Sequence, residues 1–156
     1  MRTGIGYDSH RFQRGRRLML GGVEIPHEAG LAGHSDADVL LHAIIDAILG
    51  AVGLGDIGYR FPDTSEEFKG ISSIELLKRV LHLVKGDGYE VTWVDATVIC
   101  ESPRVGPHVV AMKEAMAGAG LKHVNIKGKS NEGMGFTGRG EGIAAIAAAT
   151  VEHFKD

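Results

Sequence analysis

Three side chains of this sequence have the types and spacing of a metal site. Asp8 and His10 lie two residues apart in a segment, residues 2–12, whose alternation predicts a β-strand. Because a strand repeats every two residues, both side chains are expected on one face. His42 lies in an otherwise apolar predicted helix, where an unpaired polar group is costly. Together they offer zinc three ligands and leave its fourth position open, as in catalytic sites.

Each of these residues also has an ordinary interpretation. Asp-x-His is a common pattern on strands, and a helical histidine is more often a satisfied core residue than a ligand. Spacing alone therefore leaves the zinc hypothesis open. If it holds, Asp38 or Asp46, four residues either side of His42, is the expected acceptor for its second ring nitrogen.

Two further segments have the composition of phosphate-binding loops. His34 and Ser35 come just before the predicted helix, whose free backbone N–H groups attract anions. The glycine-rich stretch 128–142 joins Lys129 and Ser130 to Glu132, a carboxylate suited to a hard cation such as Mg²⁺. The alternatives are a helix-capping role for Ser35 and a solvated loop.

An acidic loop and a turn complete the candidate segments. Asp56 and Asp63 bracket Gly58 and could bind polyol hydroxyls, although simple turn chemistry explains them equally well. The segment 100–107 follows the end of a predicted strand, where ligands often bind, but alone it says little.

The elements that must position these residues follow from hydrophobic periodicity and breakers. After the first strand we expect a hairpin at 18–20 and 23–25, helices at 37–51, 72–84 and 108–119, strands at 89–99 and 123–129, and an alanine-rich closing helix at 143–153. Ser35 or Asp36 is the expected cap of the first helix. The pattern predicts one compact α+β domain, residues 1–156, with a mixed sheet covered by helices on one face.

Composition excludes several classes of protein. The chain has 156 residues and a net charge of −3, so nothing favours nucleic acid. Its apolar runs are too short to span a membrane, and its N-terminal residues lack the apolar stretch of a signal peptide. The single cysteine, Cys100, suits a reducing cytosol, so a soluble cytoplasmic protein is expected.

Four segments, taken in order, resemble the 2-C-methyl-D-erythritol 2,4-cyclodiphosphate synthase family, the ring-closing enzymes of the non-mevalonate isoprenoid (MEP) route. They are GIGYDSHRF at 4–12, GLAGHSDADVLLHAIIDAILGA at 30–51, GDIGYRFPDTSEEFKG at 55–70 and EGMGFTGRGEGIA at 132–144. Each is weak alone, but the four occur in register, are spread over residues 4–144 and place the metal triad correctly.

The resemblance implies roles for individual residues. Asp8, His10 and His42 match the family's ligands for one zinc ion per subunit, and Glu132 matches the carboxylate that holds Mg²⁺ or Mn²⁺ on the substrate diphosphate. His34, Ser130 and Glu132 are the implied catalytic residues. The implied substrate contacts are Asp8, His10, His34 and Ser35 near the phosphates, Asp56, Ile57, Gly58 and Asp63 for the methylerythritol hydroxyls, and Cys100, Pro103, Arg104, Val105, Gly106, Gly128, Lys129 and Ser130 for cytidine.

The resemblance also implies an assembly and a reaction. The family is a homotrimer around a β-rich axis, with active sites between subunits; Phe136 and Arg139 match residues of its axial channel, for which an isoprenoid diphosphate is a candidate ligand. The substrate would be a cytidine diphosphate-linked methylerythritol 2-phosphate that cyclises and releases CMP. The alternatives are a metal-dependent phosphoesterase and a trimeric small-molecule binding module.

One departure from the family pattern stands in the glycine-rich loop. Lys129 and Ser130 occupy positions where the family commonly has threonines. Ser130 keeps a hydroxyl, and Lys129 adds a charge that is itself a reasonable phosphate partner.

Overall fold

A computed structural model describes residues 1–154, so the last two residues of the expected 1–156 domain lie outside the described part. The elements run β1 (Arg2–Arg14), β2 (Leu18–Leu20), β3 (Val23–Ile25), β4 (Ala29–Leu31), α1 (Val39–Val52), α2 (Ile57–Arg60), α3 (Ser73–Gly86), β5 (Tyr89–Ile99), α4 (Val109–Gly118), β6 (Val124–Lys129), α5 (Gly135–Gly138) and β7 (Gly142–His153). Short 3₁₀ turns occupy Glu66–Phe68 and Gly106–His108.

The strands form one mixed five-stranded sheet in the order β4-β1-β7-β5-β6, and β2 and β3 form a separate hairpin. Only the pair β5 and β6 is parallel; β1 with β4, β1 with β7 and β5 with β7 are antiparallel. Helix α1 packs on β1 and β7, and α3 packs on α1 and β5. The expectation of a single α+β domain with a mixed sheet is confirmed.

Helix α1 is the centre of the core. All its residues are buried except Asp46 and Gly50, as expected for a helix that is apolar on nearly every side. Its backbone lies directly against β1: a Cβ added to Gly4 would lie 2.1 Å from the carbonyl oxygen of Ala47, and one added to Gly6 would lie 1.9 Å from that of Ala43. Glycine is therefore required at both positions by close approach.

The expected helix at 143–153 is wrong, because this segment is β7, the central strand of the sheet. Ala145, Ala147 and Ala149 are buried on one face, where they pair in register with Asp8, Gly6 and Gly4 of β1. Alanine favours helices in isolation, but here the space beneath α1 admits only small side chains. The period of two is hard to see because alanines also occupy positions between them.

The start of α1 also differs from the expectation. Its N-cap is Asp38, whose carboxylate accepts the Leu41 N–H at 3.1 Å, and neither Ser35 nor Asp36 caps the helix. Asp38 is fully buried and also accepts the N–H groups of Gly21 and Gly22, at 2.9 and 2.7 Å. It thereby fixes the β2–β3 turn to the beginning of α1.

Among the helices of the described residues, none combines the length and the apolar character that crossing a bilayer would require.

We predict that Gly6→Ala destabilises the protein by at least ~2 kcal/mol, because the added methyl would force α1 away from β1. Gly50→Ala is the matched control: its Cβ would meet only the Ile5 carbonyl oxygen at 4.0 Å. Alanine in a helix should leave the Gly50 variant unchanged or slightly more stable. Urea unfolding of both variants measures the difference, and equal stabilities would contradict the close-approach argument.

Candidate metal centre and substrate pockets

Asp8, His10 and His42 converge where β1 passes under α1. Asp8 and His10 project from the same face of β1, and His42 projects from α1. The Asp8 Oδ2 atom lies 2.8 Å from His10 Nε2 and 3.1 Å from His42 Nδ1, and the two ring nitrogens are 3.3 Å apart. The predicted triad is therefore brought together, as one group of three donor atoms.

These separations fit a zinc ion. Ligand atoms at 2.0–2.1 Å from a tetrahedral zinc lie about 3.3 Å from one another, close to the spacing seen here. Within residues 1–154 the group gains no fourth His, Cys, Asp or Glu donor. His34 lies outside this group and donates from Nε2 to the Ser65 carbonyl oxygen at 3.1 Å. Three protein donors are the arrangement of a catalytic rather than a structural zinc site.

The far ring nitrogens of both histidines are also engaged. His10 donates from Nδ1 to the Ala32 carbonyl oxygen at 2.7 Å. His42 donates from Nε2 to Ser73 Oγ at 2.9 Å, with Ser35 Oγ further away at 3.2 Å. Each histidine can therefore keep a proton on its far nitrogen, which leaves the nitrogen that faces Asp8 available as a ligand for a metal ion.

The expectation that Asp38 or Asp46 orients His42 is wrong. Asp38 caps α1, and Asp46 accepts the Ile57 N–H at 2.7 Å. Both carboxylates accept hydrogen bonds from backbone N–H groups. These hydrogen bonds fix the start of α1 and the turn before α2. The acceptor for His42 instead comes from α3, a segment 31 residues further along the chain.

The charges within the triad support one another. Burial raises the pKa of Asp8, but its hydrogen bonds to His10 and His42 and their positive charge outweigh burial and hold that pKa at about 2. Burial lowers the pKa of His10, while its hydrogen bond and attraction to Asp8 raise it, with a net increase above the ordinary value. Asp8 is therefore ionised at neutral pH, and His10 holds a second proton more strongly than a free histidine.

A cavity of about 360 Å³ opens beside the triad. It contains many of the residues predicted to contact substrate. Its lining includes Asp8, His10, His34, Ser35, His42, Ile57, Gly58 and Asp63, with an apolar wall formed by Phe61, Phe68, Ile71 and Leu76. Asp56 does not line it: that side chain caps α2 by accepting the Tyr59 N–H at 2.8 Å.

The loop carrying His34 and Ser35 is held by a residue that the sequence did not single out. Arg16 donates from its two terminal nitrogens to the carbonyl oxygens of Gly33 and Ser35, both at 2.7 Å. These two hydrogen bonds hold the loop on either side of His34. No local pattern relates residue 16 to residues 33–35, which is why the contact could not be foreseen.

A second cavity, of about 550 Å³, gathers the predicted cytidine-binding residues. Its lining includes Cys100, Pro103, Arg104, Val105, Gly106, Gly128, Lys129 and Ser130. Burial and the charge of Glu101 raise the pKa of the Cys100 thiol to about 11, so the thiol is neutral and not a nucleophile. The two cavities share no lining residue.

Glu101 organises the loop beyond β6. Its carboxylate accepts the Asn131 N–H at 2.8 Å and the Ser130 hydroxyl at 3.0 Å, and these bonds lower its pKa. Ser130 Oγ in turn accepts the Glu132 N–H at 2.9 Å. Glu132 has a positive φ of 54° and an exposed side chain, and it lines neither cavity.

Phe136, one of the two residues predicted to line an axial channel, borders a cavity that shares His10 with the cavity at the triad. Phe136 lines a third cavity, of about 570 Å³, with Ser9, Arg11 and Phe12 among its other walls. Arg139 is not part of that lining; its Nε donates to Glu141 at 2.9 Å.

The fold and the donor set together define an α+β protein with a candidate three-ligand metal site beside a partly apolar cavity. Comparison with known proteins identifies the family: the model of the YgbB family matches residues 1–152, and the chain belongs to this family.

Relatives and solved structures agree with the family model. The chain is 53% identical, over the full length of both proteins, to 2-C-methyl-D-erythritol 2,4-cyclodiphosphate synthase of Syntrophus aciditrophicus. A CDP-bound structure of a synthase with the same name has a TM-score of 0.87 and 33% identity, covering 97% of this chain and all of that one. The bifunctional IspDF of Campylobacter jejuni has a TM-score of 0.93 and 41% identity; the match covers 99% of this chain but 42% of that protein.

We predict that His42→Ala abolishes zinc retention. Removing a ligand should weaken binding by more than the roughly 100-fold seen when only an outer contact is lost. His27→Ala is the control, because His27 stacks on Phe12 outside the triad. Metal analysis after dialysis measures the outcome, and a zinc content equal to that of the control would refute the assignment.

We predict that zinc affinity falls with decreasing pH. Zinc and a proton compete for His10 Nε2, and the pKa of His10 is raised above its ordinary value, so the competition begins at a higher pH than for a free histidine. Affinity should fall by about tenfold for each pH unit below the raised pKa, while Asp8, with a pKa of about 2, adds no dependence between pH 6 and 8. Chelator competition over this range would contradict the assignment if affinity stayed constant.

Proposed function

We propose that this chain converts 4-diphosphocytidyl-2-C-methyl-D-erythritol 2-phosphate to 2-C-methyl-D-erythritol 2,4-cyclodiphosphate and CMP, in the MEP isoprenoid pathway. The observation that carries the proposal is full-length similarity at 53% identity to a synthase of that name. The triad and the two pockets supply the groups that such a reaction needs. We further propose that residues 1–156 form one synthase domain.

The reaction is an intramolecular phosphoryl transfer. An oxygen of the 2-phosphate attacks the β-phosphorus, a new P–O bond closes the ring, and the bond between the β-phosphorus and the bridging oxygen breaks as CMP leaves with that oxygen. The enzyme is thus a cyclising phosphorus–oxygen lyase and needs no protein nucleophile. Its task is to hold two anionic groups together in a bent geometry, which can contribute roughly 7–11 kcal/mol.

When bound, Zn²⁺ at the triad and Mg²⁺ or Mn²⁺ held on the diphosphate by Glu132 supply Lewis-acid polarisation and charge neutralisation. The chain's own residues orient the substrate. We assign His34 and Ser35 to the phosphates, since both line the triad cavity and Arg16 fixes their loop. Asp56, Ile57, Gly58 and Asp63 are assigned to the methylerythritol hydroxyls.

We assign the second cavity to cytidine. Lys129 and Ser130, at its edge, provide a positive charge and a hydroxyl for the diphosphate. Glu101 holds Ser130 and the N–H of Asn131 in place, so the loop that carries Glu132 is ordered before substrate arrives. His34, Ser130 and Glu132 are the proposed catalytic residues.

A homotrimer with active sites between subunits accounts for two features together. One face of the sheet lacks a helical cover within the described residues, and large side chains stand exposed on it: Ile5 at 76%, Tyr7 at 53%, Trp93 at 49% and Ile146 at 44%. An apolar sheet face of this kind is typical of an interface. The two separate cavities would then meet across subunits, each supplying one part of the site.

Two further assignments concern an axial channel and the cell compartment. We assign Phe136 and Arg139 to an axial channel, with an isoprenoid diphosphate as its candidate ligand, because Phe136 lines a cavity that also contains Arg11. We assign the protein to the cytoplasm because its lone thiol, Cys100, suits a reducing compartment.

The direct test is to incubate the purified chain with Zn²⁺, Mg²⁺ and the proposed substrate, and to follow CMP release and phosphorus NMR together. Stoichiometric CMP with two coupled diphosphate signals would establish ring closure. CMP with a linear phosphate product would indicate the phosphoesterase alternative. Tight zinc binding without any CMP would indicate the binding-module alternative.

We predict that two inactive variants restore activity when co-expressed. His42→Ala removes a metal ligand, and Gly106→Trp fills the second cavity, where an added Cβ meets nothing within 4 Å. In randomly mixed trimers about a quarter of interface sites would contain neither change. Gly86→Trp, at an equally open position on α3, is the control and should retain activity. If mixtures stay inactive, the site does not lie between subunits.

A further inference from the structure

Ser73 is a completely buried polar residue at the first position of α3. A buried hydroxyl is costly unless it is hydrogen-bonded, so its partners are informative. Its Oγ donates to Asp36 Oδ1, its N–H donates to Asp36 Oδ2 at 2.9 Å, and His42 Nε2 approaches its Oγ at 2.9 Å. Ser73 therefore stands between a carboxylate and a proposed metal ligand.

The count of protons determines the direction of these bonds. A serine hydroxyl has one proton, and here it goes to a carboxylate, which accepts and does not donate. The Ser73 oxygen can then only accept from His42, so His42 must hold its proton on Nε2. That leaves the Nδ1 lone pair facing Asp8 Oδ2, 3.1 Å away. The orientation of the imidazole and its tautomer follow from one serine and one carboxylate.

Asp36 is itself held by the backbone. Its N–H donates to the Ile71 carbonyl oxygen at 3.2 Å, and its Oδ1 accepts the Asp38 N–H at 3.2 Å. The carboxylate therefore joins the loop before α1 to the beginning of α3. The other metal-facing histidine needs no such pair, because His10 donates to a backbone carbonyl at Ala32.

We propose that Asp36 and Ser73 form a positioning pair that fixes His42 and thereby sets the metal affinity of the triad. The inference rests on the proposed zinc site and deepens it. Neither residue contacts the metal or the reacting atoms. Ser35 Oγ is a weaker alternative acceptor for His42, at 3.2 Å, and it already accepts the Ala37 N–H.

The test measures zinc affinity without substrate. Ser73→Ala, Asp36→Asn and the double variant are titrated with Zn²⁺ against a chromophoric chelator, and the Co²⁺ forms are compared by visible absorption. Loss of an outer partner of a ligating histidine weakens metal binding by about 10- to 100-fold, which is the expected effect of Ser73→Ala. Because the two residues act through one contact, the double variant should bind about as weakly as Ser73→Ala alone.

Ser72→Ala is the matched control, since Ser72 is the exposed neighbouring serine and its side chain makes no capping bond. It should bind Zn²⁺ as the unmodified chain does, and circular dichroism should show both serine variants folded. If Ser73→Ala binds zinc as tightly as Ser72→Ala, the positioning pair is disproved while the zinc site stands. If Ser73→Ala does not fold, unchanged affinity in Asp36→Asn disproves the pair instead. An unmodified chain that binds no zinc would overturn the metal site and this inference together.

Discussion

Glycines at positions 4 and 6 let the backbone of α1 lie against β1, and the candidate metal centre depends on that approach. Asp8 and His10 stand on the same face of β1 as these glycines, and His42 faces them from the helix. A side chain at either glycine would push the helix away from the strand. The donor atoms of the triad, which are about 3 Å apart, would then be too far from one another to share one metal ion. The close contact between α1 and β1 and the candidate metal site therefore lie in the same part of the fold.

The same constraint explains the main failure of prediction from sequence. The buried alanines of β7 pair with Gly4 and Gly6 of β1 and lie on the same face of the sheet. Their side chains are small because α1 packs directly on that face. In the sequence alone, a run of alanines favours a helix and hides the alternation of buried and exposed positions. The strand can be recognised only when the position of α1 is known. The hairpin, α1, α3, α4, β5 and β6 were predictable, since breakers and clear periodicity bound them, but the short elements β4, α2 and α5 were not predicted.

In the candidate site, too, some residues were predictable from the sequence and others were not. Asp8 and His10 could be paired from their spacing, and His42 could be added because a polar group in a buried helix needs a reason. Their outer partners had no such signal. Asp36 and Ser73 are 37 residues apart, and Arg16 lies 17 residues before Gly33, so each contact exists only through the tertiary fold. Asp38 and Asp46 have the right helical spacing to His42 but bind backbone N–H groups instead.

The chemical types of the triad also determine its charge. One ionised carboxylate and two neutral imidazoles contribute a single negative charge, so a divalent ion held there keeps one unit of positive charge. A second carboxylate in place of His10 or His42 would have made the centre neutral. In the partly enclosed cavity lined by Phe61, Phe68 and Leu76, that remaining charge would be weakly screened and would attract anionic oxygens strongly. Histidine rather than aspartate at two of the three positions therefore makes the electrostatic potential of the metal-loaded site positive.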